Sequence, residues 1–391
     1  YFHTGAFLEA SEFESKLSEE YFDIGAGFVL PDTQIPAGIN SQEMREAHRA
    51  LRGSLLRTEV YAEDGTDKAD KPFVVTEQCF RVRMEQPLNE NRYAVFFVHP
   101  DQTLTLNYER NETDPRITHE LTLAVDQFGA VTESASVAYP RQTAPHDPEQ
   151  EKMWVSYTVN NVLNKDSDPY WRRIGIAYES SIWELTCLEI LDGTPLTPDA
   201  VRTWFNNAAE IAYEAFSDQN ELQKRCVKAI KHQYMKDDLS GPLAFGDVES
   251  LALPYKSYVL ALTDTLISTI YGSRVNTAMV TGEAGYETID GDYWIQSNSV
   301  VYHASSFYQP VKIIDPFGGE FTSTWDRYSL LVESIEDAIG NQTGVRSDYR
   351  CMVPDMITDP NGNRTETAFD PLGRVIKLAI MGKAGESDGD T

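Results

Sequence analysis

The stretch DPNGNRTETAFDPLGR, residues 359–374, contains the same Asp-Pro-x-Gly quartet twice, eleven residues apart. Six aspartates, which we call the ladder aspartates, follow one another at this spacing: Asp315, Asp326, Asp337, Asp348, Asp359 and Asp370. A fixed interval kept over six positions indicates a structural repeat rather than a set of unrelated turns. The repeat therefore determines how the second half of the chain folds.

Four of the ladder aspartates begin an Asp-x-x-Gly quartet, and the same quartet also begins at Asp126. These quartets predict type I turns, because Asp accepts backbone N–H groups and Gly tolerates the exit conformation. The two remaining ladder aspartates lack the glycine and require another turn type. The predicted turn residues are Asp126, Gly129, Asp315, Gly318, Asp326, Asp337, Gly340, Asp348, Asp359, Gly362, Asp370 and Gly373.

Alternating segments such as 320–325 and 364–369 lie between these turns. An eleven-residue step accommodates a strand of about seven or eight residues and a turn, so two steps make a β-hairpin. A single hairpin cannot bury its apolar face. We therefore expect a mainly β fold of antiparallel hairpins stacked side by side in a curved or spiral sheet.

Two insertions are predicted to be helical. Asn40 and Glu43 have capping-box spacing at the start of a short helix over 40–52. Thr197 and Pro198 begin a second pattern, in which apolar residues recur at three- and four-residue spacing and predict a helical hairpin. Its second half, 222–236, is a predicted helix with a basic character, which is either a solvated face or a docking surface for an acidic neighbour. The residues concerned are Lys224, Arg225, Lys228, Lys231, His232 and Lys236.

These patterns divide the chain into four predicted regions. They are a lead-in segment with a short helix at 1–53, a β-rich sheet region at 54–192, the helical hairpin at 193–242 and the β-rich repeats at 243–391. The chain begins with Tyr1 and ends shortly after a repeat. We therefore expect it to be a piece of a longer polypeptide.

Charge and hydropathy limit the classes of partner. The chain has 33 Lys and Arg against 61 Asp and Glu, a formal charge of −28. Such a field repels nucleic acid and anionic membranes, so neither is an expected partner. No apolar run approaches the length of about 20 residues that spans a bilayer, so we expect no direct membrane insertion.

Residues able to do chemistry are present without a completed motif. The four cysteines form no CxxC pair, the histidines form no HExxH site, and no phosphate-binding loop or nucleophile elbow occurs. Three carboxylate pairs, Asp166 with Asp168, Asp237 with Asp238 and Asp290 with Asp292, lie in turn-like surroundings where Asp is common. We predict no catalytic residue, no metal ligand and no cofactor.

Longer stretches carry a resemblance to a known family. The aromatic-Asp and Asp-Pro-x-Gly repeats resemble the YD or Rhs repeats of polymorphic toxins and teneurin-type proteins. Residues 43–66, 93–123, 237–258 and 357–386 resemble the B component of the three-part insecticidal toxin complexes, the Tc or ABC toxins. The resemblance covers nearly the whole chain.

The resemblance implies a non-enzymatic segment of a shell wall. In that family the B and C components form a hollow cocoon of spiralling antiparallel sheet around the toxic part of C, which is delivered through an A-component channel. The implied partners are the C component with its enclosed effector, and the A component through parts of the polypeptide outside this segment. The implied location is a secreted bacterial virulence complex.

Two other functions stay open on the sequence alone. One is an extracellular adhesion module of YD repeats that recognises glycan or protein. The other is an enzyme on a β fold, either carbohydrate-active or a peptidase, which needs two cooperating carboxylates or a nucleophile in a cleft.

Overall fold

The structure, a computed structural model, describes residues 1–7, 20–24, 27–141, 143, 147–188 and 194–390. The helices are α1 Ser41–Ala50, α2 Pro198–Asn207 and α3 Asp264–Tyr271, with short 3-10 turns at Pro148–Glu151, Gly272–Arg274 and Ala304–Ser306 and a π-helical turn at Met279–Glu283. The strands are β1 Arg57–Val60, β2 Val74–Gln86, β3 Val95–Asn107, β4 Arg116–Val125, β5 Val131–Ala138, β6 Trp154–Lys165, β7 Arg173–Leu185, β8 Ala209–Ile211, β9 Gln223–Met235, β10 Leu253–Leu262, β11 Tyr286–Ile289, β12 Asp292–Gln296, β13 Ser299–His303, β14 Gln309–Ile314, β15 Glu320–Trp325, β16 Val332–Glu336, β17 Gln342–Asp348, β18 Val353–Thr358, β19 Arg364–Phe369 and β20 Val375–Met381. None of the helices in these ranges is both long enough and apolar enough to cross a membrane.

The chain divides into two compact units. The first consists of Tyr1–Val162 and Ser180–Ala229, and the second of Leu163–Glu179 and Ile230–Thr391. The four regions predicted from the sequence have different limits, and the boundary between 192 and 193 lies outside the described residues. That division stays a prediction.

The main core of the first unit lies on one face of a sheet. This part of the sheet contains β1 to β5, the first part of β6 and the last part of β7, in sequence order. Leu104, Leu121 and Tyr157 project from this sheet into the core and are at most 2% exposed. Helix α2 packs on the same face through Val201, and the ring of its Phe205 stacks on Tyr157 with centroids 3.8 Å apart. The helix begins where Thr197 accepts the backbone N–H of Ala200 and Pro198 occupies the first turn.

The second unit contains a long antiparallel sheet built from the repeats. Strands β13 to β20 pair in strict sequence order, and each pair is antiparallel. The same unit contains β10, β12 and β11, which pair in that order. Ile267 of α3 forms a small core there with Val280 and Tyr293. The prediction of a mainly β fold of stacked antiparallel hairpins with helical insertions is confirmed.

The predicted helical hairpin at 193–242 is wrong in its second half. Helix α2 ends at Asn207, and residues 223–235 form the strand β9, whose last six residues pair with β10. Cys226, Ile230 and Tyr234 recur every four residues, a spacing that fits one face of a helix and equally one face of a strand, since four is a multiple of two. Pairing with neighbouring strands decides between the two. The predicted basic helix is therefore a basic strand.

A further helical insertion was not predicted. Helix α3 and the π-helical turn lie within 264–283, in a region expected to be β-rich throughout. Thr263 caps α3 by accepting the backbone N–H of Leu266. The helix has only eight residues, which is too short for its apolar period to stand out in the sequence.

Candidate functional site

The glycine-containing turns share one hydrogen-bonding pattern. At Asp359 the backbone oxygen accepts the N–H of Gly362 at 2.9 Å, and the backbone N–H donates to the oxygen of Asn363 at 2.9 Å. The Oδ1 atom of Asp359 accepts the N–H groups of Asn361 and Asn363. The quartets beginning at 126, 315, 337 and 370 repeat these contacts.

The glycine of each quartet has a positive φ, between 80° and 94° over the five quartets. This combination of a type I turn and a left-handed residue closes a hairpin with a bulge. Glycine is required at that position because a Cβ atom strains the left-handed conformation. The geometry explains the fixed distance of three residues between Asp and Gly.

The two ladder aspartates without glycine make longer turns. Asp326 donates its N–H to the oxygen of Leu331 at 2.8 Å, and Ser329 takes the positive φ of 55°. At Asp348 the positive φ falls on Met352, at 58°. From Asp315 to Asp359 the turns therefore alternate in length, whereas Asp370 repeats the glycine-containing turn of Asp359. The strand pairs that adjoin the longer turns contain register shifts next to Trp325 and Ser347. That these turns act as the repeat unit of a shell wall stays a prediction.

Side chains connect one hairpin with the next. The hydroxyl of Tyr349 donates to Oδ2 of Asp326, although the two residues are 23 positions apart in the chain. Arg350 donates to the backbone oxygen of Asp370 at 2.7 Å. The aromatic-Asp motif is visible in the sequence, but its hydrogen-bond partners in the neighbouring hairpin are not. The available signal was the 22-residue distance between alternate ladder aspartates, which places their turns at one edge of the sheet.

Hydrogen bonds lower the pKa values of several ladder aspartates. A side-chain hydrogen bond from Asn363 is the largest cause that lowers the pKa of Asp359, and the side chain of Asn341 does the same for Asp337. Burial raises the pKa of Asp326, but hydrogen bonds from Tyr349 and from backbone N–H groups outweigh it and the pKa is lowered. The hydrogen bond to Asp326 raises the pKa of Tyr349 to about 12. Tyr349 is therefore a neutral donor to a charged acceptor at neutral pH.

The two faces of the repeat sheet differ in chemistry. Residues paired directly across strands project from the same face, as do residues two apart in one strand where no bulge lies between them. By this rule one face, which we call the uncharged face, carries aliphatic, aromatic and hydroxyl side chains: Val300, Ile313, Phe321, Ser323, Ile335, Thr343, Val345, Ile357, Thr365 and Ile380. The opposite face carries ion pairs, such as Lys312 with Glu320 at 2.6 Å and Arg346 with Glu366 at 2.8 Å.

The uncharged face is left partly open. Ile335 is 44% exposed, Ile357 is 42% exposed and Ile380 is 64% exposed. Apolar side chains in a row on an open face indicate an interaction surface. The register of eight strands was needed to find this face, and the sequence alone did not supply it.

In the three carboxylate pairs, at least four of the six aspartates accept backbone N–H groups or form an ion pair. Asp168 accepts the N–H of Tyr170, Asp237 accepts the N–H groups of Ser250 and Leu251, and Asp238 accepts that of Ser240. Asp290 pairs with Lys231 at 2.5 Å. Among the residues that the structure describes, no group of three or more His, Cys, Asp or Glu side chains is placed to hold a metal ion.

Two basic residues of β9 have acidic partners. Arg225 forms an ion pair with Glu184 at 2.9 Å. Lys231 contacts Asp290 and lies over the ring of Trp294, 5.2 Å from its centroid. Because these residues lie on a strand, they do not form the predicted basic face of a helix.

The fold and its turns define a class, the antiparallel β-sheet proteins built from stacked hairpins. Residues 46–176 match the family described as "Insecticide toxin TcdB middle/C-terminal region". The search of curated proteins found no match. The resemblance to the B component of Tc toxins is thus confirmed, in sequence over this third of the chain and in fold over almost all of it.

Solved structures show the same fold at low identity. A crystal structure of TcdB2-TccC3-Cdc42 has a TM-score of 0.71 at 22% identity and covers 97% of this chain and 19% of that chain. A Tc holotoxin pore from Photorhabdus luminescens has a TM-score of 0.72 at 23% identity and covers 98% of this chain and 19% of that chain. A crystal structure of TcdB2-TccC3 without the hypervariable C-terminal region has a TM-score of 0.71 at 22% identity and covers 97% of this chain and 19% of that chain. The chain spans about a fifth of the length of these proteins.

Proposed function

We propose that this chain is a non-enzymatic wall segment of a toxin-complex shell, in which a B-type polypeptide and a C-type partner enclose a toxic effector. The observation that carries the proposal is the repeat sheet with its uncharged, open face. A wall needs stiff hairpins, and the ladder turns with their connections between hairpins supply that stiffness. It also needs a surface toward its contents, and the uncharged face is suited to an unfolded polypeptide of either charge.

The comparisons support the choice of partner. The similar solved structures are assemblies of TcdB2 with TccC3 and a complete Tc holotoxin pore. By analogy the C-type partner contributes the effector, and an A-type channel docks through parts of the polypeptide beyond this segment. Delivery by such a complex places the protein outside the producing cell.

Protease protection tests this function. The full polypeptide containing this chain is co-expressed with a C-type partner and purified through a tag on the B-type polypeptide. We expect the C-terminal part of the partner to co-purify and to resist protease until a denaturant opens the shell. Digestion at the rate of the free effector, or failure to co-purify, would contradict the proposal. Binding to cell-surface glycan or protein without any C-type partner would instead support the adhesion module.

A further inference from the structure

A groove opens in the first unit where two neighbouring strands stop pairing. Strands β3 and β4 pair from Asn107 with Arg116 up to Gln102 with Leu121. Both strands continue beyond that point, and residues 122–125 of β4 then pair with β5 alone. The groove has a volume of about 610 Å³ and is lined by β2, β3, the end of β4, residues 34–36 and Arg202.

An aspartate with an unsatisfied oxygen lines this groove. The register of β2 with β3 passes from Cys79 opposite Gln102 to Phe80 opposite Pro100, so Asp101 is the extra residue of a bulge. Bulges redirect a side chain and are common next to binding sites. The Asp101 side chain is 1% exposed, and its Oδ1 accepts from Nε of Arg81 at 2.9 Å. Its Oδ2 is buried and has no hydrogen-bond partner among the described residues.

A buried carboxylate oxygen without a donor costs free energy, and proteins rarely keep one without a function. The missing donor has to come from outside the described residues. Arg81 is 46% exposed, so its side chain has room to adopt another rotamer. A ligand needs such a change of rotamer to reach Oδ2.

The charged side chains around the groove restrict which ligand can supply the missing donor to Oδ2 of Asp101. Three arginines line it, Arg81, Arg83 and Arg202. Arg83 uses its nitrogens on Glu85 and on the backbone oxygens of Asp126 and Gln127. Arg81 uses only Nε in its hydrogen bond to Asp101, which leaves its terminal N–H groups as donors.

Each arginine is paired with a carboxylate, Arg81 with Asp101, Arg83 with Glu85 and Arg202 with Glu133, so these pairs leave no excess charge that favours an ionic ligand. Asp101 disfavours a carboxylate beside Oδ2. A neutral amide suits both sides, because its N–H donates to Oδ2 while its oxygen accepts from Arg81. Residues 122–125 of β4 have no strand partner on the β3 side and offer backbone groups to an extended chain, except for the Leu123 oxygen, which accepts from Arg202. Another segment of the chain already binds β2 in this way. The backbone N–H of Gln34 donates to the backbone oxygen of Phe80, and the backbone N–H of Val82 donates to the backbone oxygen of Gln34, at 2.8 Å each.

We propose that this groove binds an extended peptide segment with uncharged side chains, one backbone amide of which bridges Asp101 and Arg81. The site goes beyond the proposed function and does not depend on it. The peptide adds to the open edge of β4 as a short strand, and its amide completes the hydrogen bonding of the bulge residue.

The test uses the full polypeptide that contains this chain. The probe is a pool of acetylated and amidated heptapeptides made of Ser, Thr, Val, Asn and Gly, and retention is measured by equilibrium dialysis with mass spectrometry. We expect the wild type to retain a subset of the pool, and Asp101→Asn to bind that subset at least tenfold more weakly. The half-exposed Arg81→Met variant, which leaves the buried carboxylate in place, is expected to weaken binding in the same way.

A matched control is available in the second unit. Asp355 accepts from Nε of Arg346 at 2.8 Å, the same type of pair as Asp101 with Arg81. Asp355→Asn is expected to leave peptide retention unchanged. The proposal is overturned if the wild type retains no peptide, because Oδ2 is then satisfied by water alone. It is also overturned if folded Arg81→Met retains the pool as well as the wild type.

Discussion

Tyr349 donates its hydroxyl to Oδ2 of Asp326, so that one hairpin of the repeat sheet is connected with the next. The rings of Tyr328 and Tyr349 meet edge to face at 6.0 Å in the same place. The aspartate also accepts the N–H groups of Tyr328, Leu330 and Leu331 in its own turn. One carboxylate therefore closes a turn and joins two hairpins.

Removing this hydroxyl tests the connection between hairpins. We expect Tyr349→Phe to speed hydrogen exchange of the turn amides at 328–331 and to lower the thermal midpoint by a few degrees, because a hydrogen bond to a charged acceptor is lost. Tyr328→Phe is the control, since Tyr328 lies in the same cluster without donating to Asp326. Equal exchange rates in the two variants would show that the hydroxyl connects nothing.

The turn glycines are tested by a neighbouring pair of substitutions. Gly340 has a φ of +86° and free space for a Cβ atom, so Gly340→Ala isolates backbone strain. We expect a loss of about 1–2 kcal/mol in the free energy of unfolding. Gly344 lies in β17 outside the left-handed region, and a Cβ there meets its nearest atom at 3.9 Å. Gly344→Ala should cost little or nothing in urea unfolding, and equal losses in both variants would refute the assignment.

Burial of His119 predicts a dependence of stability on pH. Leu196 donates its N–H to the Tyr139 hydroxyl, which in turn donates to Nδ1 of His119, so Nε2 carries the proton and donates to Gln102. Burial lowers the pKa of His119 from 6.5 to about 4. The unfolded chain therefore binds a proton below pH 6.5 that the folded protein excludes until about pH 4, and stability falls as the pH falls through this window.

At about 1.4 kcal/mol per pKa unit, the full loss through His119 is roughly 3 kcal/mol at the acid end of this window. Urea unfolding of the wild type and of His119→Gln at pH 7 and pH 5 measures it. We expect the variant to lose less stability than the wild type on acidification. Other histidines with lowered pKa values, such as His3 and His48, act in both proteins and cancel in the difference. The same loss in both proteins would contradict the assignment.

The capping box of α1 gives a fourth prediction. Asn40 accepts the N–H groups of Gln42 and Glu43, and Glu43 accepts that of Asn40. We expect Asn40→Ala to cost about 1 kcal/mol of stability in urea unfolding, while Asn40→Asp retains the cap and costs much less. A loss as large for Asp as for Ala would mean that the side-chain oxygen does not cap the helix.

Local patterns in the sequence predicted the hairpins well because their information lies within a few residues. The Asp-x-x-Gly quartets, the capping box at Asn40 and the start of α2 at Pro198 each depend on adjacent chemistry. Strand β9 was mistaken for a helix because its four-residue spacing satisfies both periods, and only its partner strand β10 distinguishes them. Helix α3 is too short to show a period.

The candidate surfaces depend on pairing between distant residues and could not be predicted from the sequence. The uncharged face emerges only when the registers of eight strands are known. The groove at Asp101 arises from a bulge and from the end of β3–β4 pairing, neither of which leaves a local signature. The hydroxyl contact of Tyr349 with Asp326 likewise requires the stacking of two hairpins.

Electron cryo-microscopy of the full polypeptide bound to a C-type partner is the decisive test of the proposed wall. We expect a hollow particle whose wall contains β13 to β20, with the uncharged face directed at density for an enclosed, poorly ordered chain. A solid particle in which these strands pack into a compact core, with no enclosed space, would contradict it.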